Sequence, residues 1–327
     1  MSLQTSRASR IFQQIVLPIL VALCFSAIVF VFLWGFHSWE SMGLNVEAAT
    51  WPAQKLMCCF GLALVLGGPV YALVRELVRD RDEVTKERPV WFYPVLSGVL
   101  SLVAMCVAYS FIGMWPFGEK SGMMVDMHHQ YAPLLAGLRD NLLSGELSLY
   151  SFEVGLGANY LSLGAYYLAS PFNLLLLLFP ENLLAEGILF ITLLKNALSG
   201  AMFALCVQQI FRKREMCIPA VSVMYSLMMY LLAYSWNLMW LDVVMVLPLV
   251  IWGFERLMHT GKYLTYLLSL TYALFANYYI AFMLCIFIVL YYLTYCLRSR
   301  RTGKELAISF ARVAGFSALA VGLVAVL

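Results

Sequence analysis

The sequence predicts an all-α fold: a polytopic transmembrane helical bundle of about nine spans, with a large external loop carrying membrane-lying helices. Three observations carry that reading. Hydrophobic residues make up 63% of the 327-residue chain, and the mean hydropathy is +0.83. Charged residues are only 12%, about half the ~25% of a soluble domain. The bases that remain are sorted, gathering in alternate connections between apolar runs.

The formal net charge of +3 is small, and no basic patch with interleaved aromatics points to nucleic acid. The 8 cysteines are scattered through apolar runs without metal-ligand or CxxC spacing, so they read as small hydrophobes. The chain carries no P-loop, no GxGxxG opening a helix and no HExxH, which argues against ATP-driven transport by this chain alone.

The first region, residues 1–115, opens on a polar head with Arg7 and Arg10, followed by an apolar run from Ile15 to Phe36. That run is longer than the ~7–15-residue core of a cleaved signal peptide and reads as a signal anchor. Polar Ser38–Gln54 separates it from a second run, Leu56–Val74. The most charged loop, Arg75–Pro89, precedes a third run, Val90–Trp115.

Residues 183–327 are expected to hold the remaining spans, near Leu183–Phe211, Cys217–Tyr234, Val243–Phe254, Tyr263–Ala276, Tyr279–Leu297 and Leu306–Leu327. The last run reaches Leu327 without a polar stretch, which predicts the front part of a longer protein. With the N-terminus in the cytoplasm, most of the 21 basic residues fall inside, including Arg212, Lys213 and Arg214. The predicted setting is a bacterial plasma membrane, crossed many times, with the site facing outward.

Residues 116–182 form the external loop. Tyr160–Phe179 is nearly long enough to cross, but a crossing there would put the Arg212–Arg214 bases outside. Gly164 and Pro171 also interrupt it as a helix. It is expected to be interfacial or re-entrant. Before it, Leu134, Leu135, Leu138 and Leu142 share one arc of a helix, with Asp140 opposite and Ser144-Gly145 as its end.

This loop also holds the densest polar cluster: Asp126, His128, His129 and Gln130 within five positions. Two compatible readings exist for Asp126. It can cap the helix that follows, or serve as general base or metal ligand beside a histidine. Glu40, Glu47 and Glu181 read as ordinary solvated loop acids. Asp242 falls in SWNLMWLD, read as an outer turn with Trp236 and Trp240 as its interfacial belt. Lys195 lies about 18 Å into its apolar run at the helical rise, too deep for simple snorkelling. It calls for a partner, either Asp242 or a lipid phosphate. Asn277, Tyr278 and Tyr279 mark a further outer turn with hydrogen-bonding groups for a sugar.

The strings VDMHHQYAPLL, SFEVGLGANYLSLGAYYLASPFNLLLLLFP, LLKNALSGAMFAL, WLDVVMVLPLVIWGFERL and NYYIAFM, over about Pro116–Leu297, resemble the bacterial YfhO-like membrane protein family. That family is assigned to the GT-C class of glycosyltransferases, which move a sugar from a polyprenyl-phosphate carrier to an acceptor outside the cytoplasm. The resemblance implies such a transfer to a cell-envelope glycopolymer or lipid-linked glycan, with membrane lipid and the lipid-linked sugar donor as partners. It assigns catalysis to Asp126. The substrate-binding set is then His128, His129, Gln130, Tyr131, Glu153, Lys195, Asp242, Asn277 and Tyr278. Asp126 is expected to face a cavity near Asp242. A divalent cation, held by Asp126 and His129, stays open as a cofactor. The sequence departs from the family in placing the loop after the third apolar run rather than the first. It also lacks the family's long C-terminal part, and with it much of the acceptor site.

Two other classes compete. A transporter or flippase would use Lys195 and Asp242 as an intramembrane pair on a substrate path, and a scaffold would only fold the acidic loop against partners. The external loop with membrane-lying helices favours the enzyme, because transporters place their sites at midplane between broken helices.

Overall fold

The computed structural model describes residues 12–34, 71, 89–114, 120–145, 150–152, 154–212, 215–299 and 302–325. A π-turn (Phe12–Val16) leads into α1 (Leu17–Trp34), and α2 (Phe92–Phe111) follows. A second π-turn (Met127–Tyr131) opens α3 (Ala132–Ser144). The two-residue strands β1 (Tyr150–Ser151) and β2 (Ala158–Asn159) pair antiparallel, Tyr150 opposite Asn159. Then come α4 (Tyr160–Leu163), a π-turn (Gly164–Leu168) and a 3-10 segment (Pro171–Leu178). The bundle continues with α5 (Leu184–Phe211), α6 (Cys217–Ser226), α7 (Met229–Ala233) and α8 (Leu238–Thr260). It ends with α9 (Leu264–Ala276), α10 (Tyr278–Arg298) and α11 (Gly303–Val324).

The centre of the bundle is α5, which packs on α2, α6 and α8, while α8 also packs on α9. Small residues let these helices approach closely, as is usual where apolar burial alone cannot drive association. A Cβ on Gly200 of α5 would collide with Ser101 Oγ of α2. A Cβ on Gly253 of α8 would stand 2.5 Å from the Tyr266 backbone nitrogen of α9. Helix ends follow their chemistry. Gly145 and Gly261 close α3 and α8 in the left-handed conformation, and Thr302 with Glu305 forms a capping box on α11.

Five helical segments are long and apolar enough to cross a bilayer: Phe92–Phe111, Glu181–Phe211, Leu238–Thr260, Tyr278–Arg298 and Gly303–Val324. The expected nine are not reached among the described residues. Apart from Tyr71, the Leu56–Val74 run lies outside those residues. The expected span Cys217–Tyr234 is two short helices, because Met228 between them is extended (φ −62°, ψ 148°), a break that no Gly or Pro announces. The expected Tyr263–Ala276 span is the 13-residue α9. The expected Val243–Phe254 span grows into the 23-residue α8, which takes in Asp242.

The segment expected to be interfacial or re-entrant is sharply bent, a geometry shared by a broken span and a re-entrant loop. Tyr160–Leu168 and Pro171–Leu178 meet at 91°. The break is not at Gly164, whose backbone is helical (φ −57°, ψ −47°), but at Ser170. There the following Pro171 disfavours a helical conformation, and Ser170 is extended with ψ 124°. The helix before it, α3, buries Leu134 and Leu135 and exposes Asp140, as its amphipathic pattern requires.

Arg212, Arg256, Lys262, Arg298 and Lys304 lie at or just beyond helix ends remote from this bent segment. In a cysteine-free background, Asp140→Cys and Glu181→Cys should therefore react with an impermeant thiol reagent from outside, and Lys262→Cys only after permeabilisation. Labelling of Asp140→Cys and Glu181→Cys from opposite sides would refute the single external loop.

Candidate active site

The candidate site lies where the π-turn before α3, the bent segment and the starts of α8 and α10 converge. Asp126 is half-buried at the head of the first π-turn. The residue before it, Val125, has φ 49°, a conformation that costs a β-branched side chain of order 1–3 kcal/mol. Such strain and π-turns both cluster at functional sites. The capping reading finds no support: the Asp126 backbone is helical and its carboxylate caps no amide. Among the described residues Asp126 makes no ion pair. Its one hydrogen-bond partner is the Tyr131 hydroxyl, at 3.5 Å from Oδ2, which is long for an O–H···O bond.

Tyr131 is the link between Asp126 and the bundle. It is buried, and its hydroxyl lies 2.8 Å from Oδ1 of Asn237, the residue just before α8. Asn237 is itself buried, and its Nδ2 has no partner among the described residues. Turning that amide over would let Nδ2 donate to the Tyr131 oxygen and free the phenol proton for Asp126. Burial pushes the Tyr131 phenol up from its ordinary value, with the Asp126 charge adding to the effect. The phenol therefore stays a donor at neutral pH.

Around this pair is an aromatic layer. Tyr131 stacks on Trp236 (centroids 6.3 Å, planes 8° apart) and lies 5.6 Å from the Tyr167 ring. Tyr166 meets Tyr167 at 4.6 Å and Tyr278 at 5.8 Å. Gln130 Nε2 donates to the Tyr167 hydroxyl at 2.9 Å. His128 and His129 are exposed, with ring centroids 4.9 Å apart. Tyr278 is also exposed, so the layer is open to a ligand on that side. Flat, amphipathic rings at a wet surface suit both sugar faces and lipid head groups.

Lys195 and Asp242 sit apart from Asp126, inside the protein. Their side chains are 1% and 0% exposed, and Lys195 Nζ lies 2.5 Å from Asp242 Oδ2. The ammonium also donates to the Leu238 carbonyl at 3.0 Å and stands 5.6 Å from the Phe172 ring centroid. Asp242 Oδ1 accepts from Ser170 at 2.9 Å and from Tyr272 at 2.6 Å. One carboxylate thus ties together α5, α8, α9 and the bend between Leu168 and Pro171. Asp242 is not in an outer turn, as its surroundings in sequence suggest, but within the buried start of α8.

The depth of Lys195 also changes meaning. The 28 residues of α5 span about 42 Å, well beyond a ~30 Å hydrocarbon core. Counting from the helix start therefore overstates how deep Lys195 lies, and the start of α8 packs at its level.

Asn277 is a correction of another kind. It is buried, its Oδ1 caps α10 through Ile280 N at 2.9 Å, and its Nδ2 donates to the Tyr166 carbonyl at 3.0 Å. Both ends help to hold the bend against α10, and the side chain is wholly buried, out of a sugar's reach in this conformation. Glu153 lies outside the described residues. For a metal, Asp126 and His129 offer two donors at most, and among the described residues no group of three or more His, Cys, Asp or Glu comes together. The described residues do not by themselves compose a metal site.

Sequence reading overlooked Asn237, Ser170, Tyr272 and Tyr166. Ser170 had a signal, as the polar residue before Pro171 in an apolar run. Tyr272 and Asn237 had none, because their partners are 30 and 106 residues away.

These features define a class: a polytopic helical membrane protein whose large loop folds a bent segment and an amphipathic helix back onto the bundle. The chain belongs to the family described as bacterial membrane protein YfhO, whose model matches residues 97–327. No curated protein matches the chain, and no solved structure matches it.

Proposed function

We propose that this protein is a membrane glycosyltransferase of the GT-C class, moving a sugar from a polyprenyl-phosphate carrier to an extracytoplasmic acceptor, with Asp126 as the catalytic base. The observation that carries the reading is the contrast between the two acids. Asp242 is buried, paired with Lys195 and saturated by Ser170 and Tyr272. Asp126 is half-exposed, makes no ion pair among the described residues, caps nothing, and stands beside an open aromatic layer. A general base needs a carboxylate free to take a proton, and only the second fits.

In the transfer, an acceptor hydroxyl attacks the anomeric carbon while the lipid phosphate departs. Asp126 takes the hydroxyl proton, and Tyr131 holds the carboxylate through its hydroxyl. His128, His129 and Gln130, beside Asp126, are placed to meet the sugar or the departing phosphate. Tyr278, on the aromatic layer, offers a stacking face. A transporter reading built on Lys195 and Asp242 draws no support from their burial, since among the described residues both side chains are packed against protein and 1% and 0% exposed.

The direct experiment is transfer of radiolabelled sugar from a polyprenyl-phosphate donor by the purified protein in lipid nanodiscs, with a cell-envelope glycopolymer as acceptor. Absence of transfer across a panel of polyprenyl-phosphate hexoses, by protein shown to be folded, would sink the assignment. Within the same assay, Tyr131→Phe is expected to lower kcat about tenfold with KM little changed. A hydrogen bond to a charged group is worth about 1.5–3 kcal/mol at good geometry, and here the distance is long. An unchanged kcat would remove Tyr131 from the site.

A further inference from the structure

Beside Asp126, but not lined by it, lies a cavity of about 350 Å³ between α2, α5, the Met123–Met127 stretch and Trp236. Its volume and apolar lining are those of a small-ligand site. Met114, Met123, Met124 and Met127 give it flexible, polarizable walls of the kind that adapt to varied apolar ligands. Space at Met114 is already tight, because a Cβ on Gly122 would come within 2.8 Å of Met114 Cε.

Among the described residues, one charged side chain lines this cavity, Glu186 in the first turn of α5. Its Oε2 atom is buried and has no hydrogen-bond partner among the described residues. No lysine or arginine is among the described lining residues. Glu186 as a whole is only half-buried, and a carboxylate at the wall of an apolar cavity is costly without a donor, which a ligand head in the cavity can supply. The same carboxylate repels a phosphate, which argues against the carrier's anionic head as the occupant.

We propose that this cavity is a second amphiphile site. It takes a lipid or lipid-like molecule whose head donates a hydrogen bond, through a hydroxyl or ammonium group, to Glu186, while its chain lies among the methionines. The site is distinct from the Asp126 carboxylate and holds whether or not Asp126 is catalytic.

Trp236, which lines the cavity, provides the readout. The full protein in nanodiscs is titrated with a bromo-acyl monoacylglycerol, whose bromine quenches tryptophan, and separately with phosphatidic acid bearing the same bromo-acyl chain. The monoacylglycerol should quench saturably, and Trp236→Phe should remove that component. The phosphatidic acid should bind at least tenfold more weakly. Glu186→Leu should weaken monoacylglycerol binding at least tenfold. Ala185→Phe, which fills the cavity and keeps the carboxylate, should abolish it. Circular dichroism and gel filtration establish which variants fold. Equal binding of the two probes, no saturable quenching, or unaltered binding in either folded variant would overturn the proposal. In the case of no quenching, the cavity holds only water, which then supplies the donor to Glu186.

Discussion

Asp126→Asn is expected to abolish sugar transfer while leaving the protein folded. Asparagine keeps the shape of the side chain and is as good a helix cap as aspartate, so even a capping role would survive the change. The structure removes that role in any case, since the Asp126 carboxylate caps no amide. Nor does the substitution orphan a partner: Asp126 makes no ion pair among the described residues, and its contact with Tyr131 is long at 3.5 Å. Stability should therefore hardly move. Activity should fall by about 10²–10⁴-fold, the usual worth of general-base catalysis. The measurement is initial-rate transfer in nanodiscs alongside thermal unfolding of the same sample. Full activity in the folded variant would falsify the assignment and direct attention to Glu153, which lies on the same loop.

The second large effect is expected on stability. Lys195→Met leaves the Asp242 carboxylate buried with its cation gone, and losing one partner of a buried pair costs about 3–5 kcal/mol. Ser170 and Tyr272 would remain as donors to Oδ1, at 2.9 Å and 2.6 Å, but neither neutralises the charge. A marked fall in the thermal unfolding midpoint is therefore expected for the single variant. Lys195→Met combined with Asp242→Asn should recover most of it. The asparagine carbonyl still accepts from the serine and the tyrosine, and no net charge remains buried. The double variant also separates two roles for Lys195. If the lysine only anchors the bent segment, the double variant transfers sugar once it folds. If its ammonium meets the substrate phosphate, the double variant folds and is inactive.

Much of this protein was legible from composition and order. The low charge, the long apolar runs and the sorted bases led directly to a helical membrane protein, because a bilayer tolerates few other backbones. The leucine arc of α3 and its end at Gly145 followed from helical periodicity, and Pro171 announced the bend of the segment after it. The demand that Lys195 find a partner was equally plain, since a lone ammonium in an apolar helix is costly.

Only the tertiary structure decided which groups meet and which stay free. Local pattern could not show that α8 begins early enough to bury Asp242, nor that the Cys217–Tyr234 run breaks between α6 and α7, at Leu227–Met228, where no Gly or Pro stands. Asn277 looked like a sugar ligand and proves to be a buried cap, because its environment is set by Tyr166, 111 residues away. The same holds for Asp126 and Asp242, two acids of similar promise in the sequence. One lies where four elements converge and its charge is consumed by their packing. The other stands on a strained turn at the edge of the bundle, where no neighbour among the described residues neutralises it. Hydrogen bonding and charge pairing act through space, so the availability of a carboxylate for chemistry is a property of the packed molecule rather than of its sequence neighbours.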